Sequence, residues 1–154
     1  MQIQLESIGT IQTKKGFAVT LASKWRAGLA GLDGFGHVVV LWHAHQAAWS
    51  DEHIRVKQPY RGGPDETGLF ATRSPLRPNG ICVSVAALVS VDMDTGTAHL
   101  AWIDAEDDSP VIDMKPYHPS SDRVERPRTP PWCASWPKSL EQSASFDWSK
   151  VFNF

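Results

Sequence analysis

The stretch Val38-Val39-Val40-Leu41-Trp42, flanked by His37 and His43, decides the fold class of this chain. Its residues are β-branched or otherwise apolar with no polar interruption, a pattern typical of a strand that is buried on both faces. No apolar run in the sequence is longer than this one, and it falls far short of the about 20 residues that a membrane-spanning helix needs. We therefore predict a central β-strand here and no association with a membrane.

Short β-like segments lie on both sides of this strand. Apolar residues alternate with polar ones, or form short runs, over residues 3–11, 17–21, 81–91, 97–104 and 111–115. Asp94-Thr95-Gly96 separates two of these runs and predicts a hairpin turn. The spacing predicts a mainly β fold, a small antiparallel β-barrel of six to seven strands.

The C-terminal part of the sequence has a different character. Prolines recur through residues 116–137, and a residue without an amide donor interrupts regular structure. After this segment Leu140, Ala144, Trp148 and Val151 recur at helical spacing behind Ser139, which predicts a short capped helix. We expect one domain over residues 1–154, with a barrel core over about 1–118 and a proline-rich extension with a helix over 119–154.

Composition limits the class of protein. The chain has 154 residues, of which 42% are hydrophobic and 21% charged, values that are normal for one globular domain. Its formal charge of −2 excludes a strongly basic nucleic-acid coat protein but allows a local basic patch. Two cysteines are too few for a disulfide framework, and no signal peptide is visible, so we expect a cytoplasmic location.

The histidines around the apolar stretch form the first candidate cluster. His37, His43 and His45 all have odd numbers, so on one strand they would share a face. Two imidazoles in a His-x-His pattern can bind one metal ion. The alternative is that these histidines only make hydrogen bonds at the end of a strand.

The second cluster is the loop GLFATRSPLRPNG, residues 68–80. Arg73 and Arg77 lie on either side of Pro75, and a second proline follows at position 78. Prolines restrict the loop before binding, and guanidinium groups suit a phosphate or carboxylate ligand. The alternative is a structural loop whose arginines pair with acidic residues elsewhere.

The third cluster is acidic. Asp104 and Asp107 belong to a group of carboxylates that is most simply a solvated turn. Asp113 and Lys115 share one face of a short strand that runs into Pro116 and Tyr117. On a surface they would form an ordinary salt bridge, whereas in a cleft they would be acid–base candidates.

The order of these clusters resembles the TsaA-like family. The matching segments are Ile8–Ile11, Gly28–Gln46, Gly68–Gly80 and Ser109–Tyr117. Characterised members of the family are S-adenosylmethionine-dependent tRNA methyltransferases that act on N6 of threonylcarbamoyl-adenosine next to the anticodon. The resemblance implies a small β-barrel, a homodimer with the cofactor near the subunit interface, tRNA as partner and no metal.

The resemblance also implies roles for individual residues. Those that match cofactor contacts of the family are His45, Gln46, Arg73, Asp104 and Asp107. Those that match motif residues near the same site, and that we assign to the substrate, are Arg77, Asn79, Lys115 and Tyr117. Asp113 and His45 are the candidate catalytic bases, and the sequence does not decide between them.

The sequence departs from the family pattern at several places. The Pro-Arg-Gln segment that contacts the cofactor is missing between Thr13 and Gly16, and the turn that follows Asp107 is altered. Two alternatives therefore stay open: a methyltransferase that acts on a different or small substrate, and a module that binds S-adenosylmethionine without turnover. A metal-dependent enzyme that uses His43 and His45 is a third.

Overall fold

The structure, a computed structural model, describes residues 1–153 of the chain. It divides into two compact units. The first consists of Met1–Trp49 and Pro75–Arg123, and the second consists of Ser50–Ser74 and the chain from Val124 onward.

The first unit is a closed ring of antiparallel strands. The strands are β1 (Gly9–Gln12), β2 (Phe17–Leu21), β3 (His37–His43), β6 (Ile81–Asp92), β7 (Thr97–Leu100) and β8 (Pro110–Pro116). Their order is β1-β2-β7-β6-β3-β8, and pairing between β8 and β1 closes the ring. Two 3₁₀ helices (Ser23–Leu29 and Leu32–Gly34) precede β3, and the short helix α1 (Pro119–Asp122) follows β8. The predicted mainly β, antiparallel fold is confirmed.

Strand β3 lies at the centre of this arrangement because both of its neighbours, β6 and β8, pair along almost its whole length. Val38, Val40 and Trp42 are buried in the hydrophobic core, as alternation along a strand requires. Val39 and Leu41 on the opposite face are only half-buried. The strand was therefore predicted correctly, but the prediction that both faces are fully buried was wrong.

The ends of several predicted strands also differ from the structure. Residues 3–5 are not in a strand, and the side chains of Ile3 and Leu5 are 70% and 54% exposed. The hairpin turn at 94–96 is confirmed, but the returning strand ends at Leu100 rather than at residue 104. Ile103 is nevertheless buried, so its apolar character reflects packing of a loop and not a strand.

The second unit contains a two-stranded sheet, β4 (Arg55–Lys57) paired with β5 (Glu66–Gly68). Its helices are the α-helix α2 (Leu140–Ala144) and four 3₁₀ helices at Asp51–Ile54, Leu69–Ala71, Pro131–Cys133 and Trp148–Lys150. The Ser139 side chain caps α2 as predicted, by accepting a hydrogen bond from the Gln142 amide. The predicted stripe from Leu140 to Val151 was too long, because α2 ends at Ala144 and Leu140 is 45% exposed.

None of the helices within residues 1–153 is long and apolar enough to cross a membrane.

Candidate functional site

The carboxyl end of β3 is where the first unit brings several predicted site residues together. The strand ends at His43, and the Ala44 amide then donates to the Gly80 carbonyl oxygen at 2.8 Å. The His45 amide folds back onto the His43 carbonyl oxygen at 2.9 Å. His45 therefore lies in a turn and not on the strand, so the prediction that it shares a strand face with His37 and His43 was wrong.

The His45 imidazole has a partner that the sequence did not reveal. Its Nδ1 lies 3.4 Å from the hydroxyl oxygen of Ser109, and Ser109 is fully buried. The backbone of Ser109 is fixed because its carbonyl oxygen accepts from the Ile11 amide at 2.9 Å. The Gln46 side chain lies on the other side of the ring, with its Nε2 3.5 Å from His45 Nε2. The ring is exposed but held on one side by a rigid, buried hydroxyl.

The loop that carries Arg77 and Asn79 is anchored to the same end of β3. Within the loop, the Arg77 amide donates to the Pro75 carbonyl oxygen at 2.8 Å, and the Gly80 amide donates to the Arg77 carbonyl oxygen at 3.0 Å. Gly80 has a φ of +57° and is buried against His43, so close that an added Cβ would lie 2.9 Å from His43 Nε2. A side chain at this position would be strained by the left-handed backbone and would force the His43 ring to shift.

The acidic turn before β8 is also tied to the barrel wall. The Asp107 carboxylate accepts a hydrogen bond from the Thr13 amide at 2.8 Å and pairs with Lys14 Nζ at 2.7 Å. The hydrogen bond from Lys14 lowers the pKa of Asp107 below its usual value, and the Thr13 amide adds to this effect. The same contact raises the pKa of Lys14. Asp104, which the sequence grouped with Asp107, is exposed.

Asp113 and Lys115 lie elsewhere on β8. In the strand register Asp113 is opposite Leu41 and Lys115 is opposite Val39, so both belong to the half-buried face of β3. The Asp113 carboxylate pairs with Lys115 through one oxygen and accepts from the Met114 amide, at 2.8 Å, through the other. Asp113 lies four positions beyond Ser109 along an extended chain, a span of about 13 Å. Asp113 is therefore not beside the His45 imidazole.

Tyr117 continues this row of side chains. Its amide donates to the His37 carbonyl oxygen at 3.0 Å, and the two rings pack edge to face with centroids 6.2 Å apart.

Asp113 also faces a groove of about 320 Å³ whose walls include Trp25, Leu29 and Met114. The other large groove, of about 530 Å³, is lined only by residues 2–5 and has no titratable side chain.

Arg73 belongs to the second unit. It follows the 3₁₀ helix Leu69–Ala71, and its side chain is exposed. The residue before Arg73 is the buried Thr72, and two hydrogen bonds fix it: its amide and its hydroxyl donate to the Leu69 carbonyl oxygen at 2.9 and 2.7 Å. The Ser74 amide in turn donates to the Thr72 hydroxyl oxygen at 3.3 Å. A fixed turn thus presents an exposed arginine, and a guanidinium suits an anionic ligand group.

Metal binding finds no support in this arrangement. Within residues 1–153 no group of three or more histidines, cysteines or carboxylates could hold a metal ion. The His43 ring packs on Gly80, whereas the His45 ring contacts Ser109.

Comparison with known proteins agrees with the sequence motifs. Residues 7–123 match the family model described as the tRNA-methyltransferase O N-terminal domain. The chain is 36% identical to an S-adenosyl-L-methionine-binding protein of Archaeoglobus fulgidus, over 69% of this chain and 72% of that protein. It is also 36% identical to the tRNA (adenine(37)-N6)-methyltransferase of Escherichia coli, over 61% of this chain and 41% of that enzyme.

The fold has the same relatives. The crystal structure of TrmO from Pseudomonas aeruginosa superposes with a TM-score of 0.65 at 29% identity, covering 83% of this chain and 62% of that one. The chain therefore spans less than half of the E. coli enzyme and less than two thirds of the Pseudomonas structure.

Proposed function

Because this chain belongs to the tRNA-methyltransferase O N-terminal domain family, we propose that it is an S-adenosylmethionine-dependent methyltransferase that modifies N6 of threonylcarbamoyl-adenosine in tRNA, next to the anticodon. The observation that carries the proposal is the family match over residues 7–123, which includes every strand of the closed ring. The position of His45 against Ser109 supports it, since it places an oriented imidazole at one end of that ring.

The residues that would hold the cofactor are His45, Gln46, Arg73, Asp104 and Asp107. Their chemistry fits S-adenosylmethionine: a guanidinium suits its carboxylate, and carboxylates suit its ammonium and ribose hydroxyl groups. Asp107 is engaged by Lys14, but the Lys14 side chain is 78% exposed and can move away without leaving a buried charge. When bound, S-adenosylmethionine supplies a methyl group on a sulfonium, a strong electrophile that needs little covalent help.

We infer that His45 rather than Asp113 accepts the proton of the acceptor nitrogen. Both oxygens of Asp113 are already engaged, one by Lys115 and the other by the Met114 amide, so neither is open to the proton of the acceptor nitrogen. The His45 ring keeps an exposed edge and is oriented by Ser109. Imidazole is the most frequent general base in enzymes, and positioning of the two reactants supplies most of the remaining rate.

The acceptor would be bound by Arg77, Asn79, Lys115 and Tyr117. The threonine carboxylate of the modified nucleoside suits Arg77, which lies on the loop anchored to β3, or Lys115. Two basic residues already have structural partners: Lys24 pairs with Glu6, and Arg26 donates to the Asp94 carbonyl oxygen at 2.9 Å. We therefore assign contacts with the tRNA backbone to other basic residues. Lys15 and the arginines at 123, 126 and 128 are exposed and remain available as phosphate contacts.

The half-buried face of β3 supports a homodimer with the cofactor site near the subunit interface. Val39 and Leu41 pair with Val85 and Val83 of β6, which forms an apolar strip on this face, and Val83 is 43% exposed. Such a strip, bordered by the Asp113–Lys115 pair, is typical of an interface between subunits. Light scattering should give twice the mass of the chain. Since the proposed substrate is tRNA, we expect the protein in the cytoplasm, with residues 1–154 acting as one domain.

The second candidate is a protein that binds S-adenosylmethionine without transferring its methyl group. Two observations favour it: the Archaeoglobus relative carries the name of a binding protein, and Lys14 occupies the Asp107 carboxylate. A methyltransferase for a different or small acceptor is a variant of the first candidate.

Two measurements on the full chain separate these candidates. Calorimetry with S-adenosylmethionine tests binding, and no heat at millimolar cofactor would remove both candidates. The protein is then incubated with methyl-labelled cofactor, and the label transferred to tRNA that carries threonylcarbamoyl-adenosine is compared with the label transferred to the same tRNA without it. Label only on the first tRNA supports the proposed enzyme. Binding without any label supports the second candidate and contradicts the first.

A further inference from the structure

The chain beyond residue 123 lies outside the matched family region and forms most of an aromatic cluster in the second unit. The members of this cluster are Tyr60, Trp132, Trp136, Phe146, Trp148 and Phe152. Each pair in contact has ring centroids between 4.8 and 5.9 Å apart. Five of the six rings come from the C-terminal segment, and only Tyr60 comes from the part of the chain that the family shares.

Tyr60 is held on several sides by this cluster. Its ring stacks on Trp132 with a centroid distance of 5.1 Å and an interplanar angle of 20°. Trp136 packs against it edge to face at 5.3 Å, and Phe152 contacts it at 5.9 Å. The residue is 8% exposed. The C-terminal aromatic side chains therefore fix the position of this ring.

The main chain beside Tyr60 is also held by the C-terminal segment. The Arg61 amide donates to the Val151 carbonyl oxygen at 2.7 Å, and the Asn153 amide donates to the Pro59 carbonyl oxygen at 3.2 Å. The Asn153 side chain adds a hydrogen bond from Nδ2 to the Gln58 carbonyl oxygen at 2.7 Å. Three hydrogen bonds within a few residues leave the Tyr60 backbone little freedom.

The hydroxyl of Tyr60 connects this rigid cluster to Arg73. The Arg73 amide hydrogen-bonds to the Tyr60 hydroxyl oxygen, and burial raises the pKa of the phenol, which keeps it protonated. The turn on either side of Arg73 is fixed through the Thr72 side chain, as described above. The peptide group of Arg73 is therefore held directly, while its guanidinium stays exposed.

We propose that Tyr60 is a positioning residue for the cofactor: the C-terminal aromatic cluster holds its ring, and its hydroxyl holds the main chain of Arg73 so that the guanidinium meets the carboxylate of S-adenosylmethionine. This inference rests on the proposed function, because it takes Arg73 as a cofactor contact. It also assigns a task to residues 124–153, which lie beyond the region that matches the family.

The test uses the full-length protein with Tyr60→Phe, which keeps the stacked ring and removes only the hydroxyl. We expect the Kd for S-adenosylmethionine, measured by calorimetry, to rise about three- to tenfold, the effect of losing one hydrogen bond. The KM for the cofactor should rise with it, while kcat stays near the wild-type value. Amide exchange measured by NMR should become faster at Arg73. Phe146→Leu is the control, since Phe146 contacts Trp148 and not Tyr60: it should lower Tm without changing the Kd.

Coupling to Arg73 separates positioning from a general loss of order. In the Arg73→Ala background, Tyr60→Phe should have no further effect on the Kd, because the group that it positions is gone. An equal effect in both backgrounds, or an unchanged Kd in the single variant, would overturn the proposal while leaving the proposed function intact. If the wild-type protein itself does not bind S-adenosylmethionine, the proposed function fails, and the cofactor role of Tyr60 fails with it.

Discussion

Replacement of Gly80 by alanine should destabilise the protein through two separable effects. A residue other than glycine pays roughly 1–2 kcal/mol in the left-handed region that the φ of +57° requires. The new Cβ would also lie 2.9 Å from Nε2 and 3.0 Å from Cδ2 of His43, and such overpacking costs about 1–3 kcal/mol. The sum is about 2–5 kcal/mol, which for a chain of this size lowers Tm by about 5–15 °C.

The matched control is Gly31→Ala. Gly31 has a φ of +82°, but nothing lies within 4 Å of its added Cβ, so this variant reports the backbone strain alone. Both variants are compared with the wild type by thermal and urea unfolding followed by circular dichroism. We expect Gly80→Ala to lose more stability than Gly31→Ala, and His43→Ala to restore part of the difference. Equal losses in the two glycine variants would refute the contact between the loop and the end of β3.

Three further predictions concern the site. Ser109→Ala should lower kcat by roughly 2- to 12-fold in steady-state methyl transfer, because the hydroxyl orients His45 and one neutral hydrogen bond is lost; an unchanged kcat would contradict this role. His45→Gln should lower kcat by about 10²-fold or more, and Asp113→Asn by much less, in the same assay; the reverse order would make Asp113 the base. The contact with Lys14 holds the pKa of Asp107 in the folded chain below its ordinary value. This contact therefore stabilises the fold fully above the ordinary pKa, and the stabilisation is lost as the pH falls through the lowered pKa. Asp107→Asn should therefore flatten the fall in stability below about pH 4 in acid unfolding, and an unchanged acid profile would contradict the ion pair.

Local patterns were sufficient to predict the barrel strands. The run from Val38 to Trp42 is strongly β-forming, and the hairpin at Asp94–Gly96 has its own turn residues. The strand ends were harder to place because apolar residues also occur in buried loops, as Ile103 shows. The length of the C-terminal helix was overestimated because Trp148 and Val151 are apolar without being helical neighbours of Leu140. Trp148 belongs to the aromatic cluster, and Val151 is buried where its carbonyl oxygen accepts from the Arg61 amide.

The candidate site was predictable only in part. The resemblance to a family selected His45, Arg73 and Asp107, but it did not predict the residues that each of them contacts. Ser109 could not be found from the sequence, because its importance comes from a contact across 64 positions of the chain. The pairing of Asp107 with Lys14 is likewise a contact between distant segments, in which the turn after β1 reaches this carboxylate.

Mass spectrometry of nucleosides from tRNA incubated with the protein and S-adenosylmethionine tests the proposed methyl transfer directly. We expect threonylcarbamoyl-adenosine to be converted to a species heavier by one methyl group on N6, in step with consumption of the cofactor, and His45→Gln to slow the conversion by about 10²-fold or more. Unmodified threonylcarbamoyl-adenosine after complete incubation with active wild-type protein would contradict this expectation.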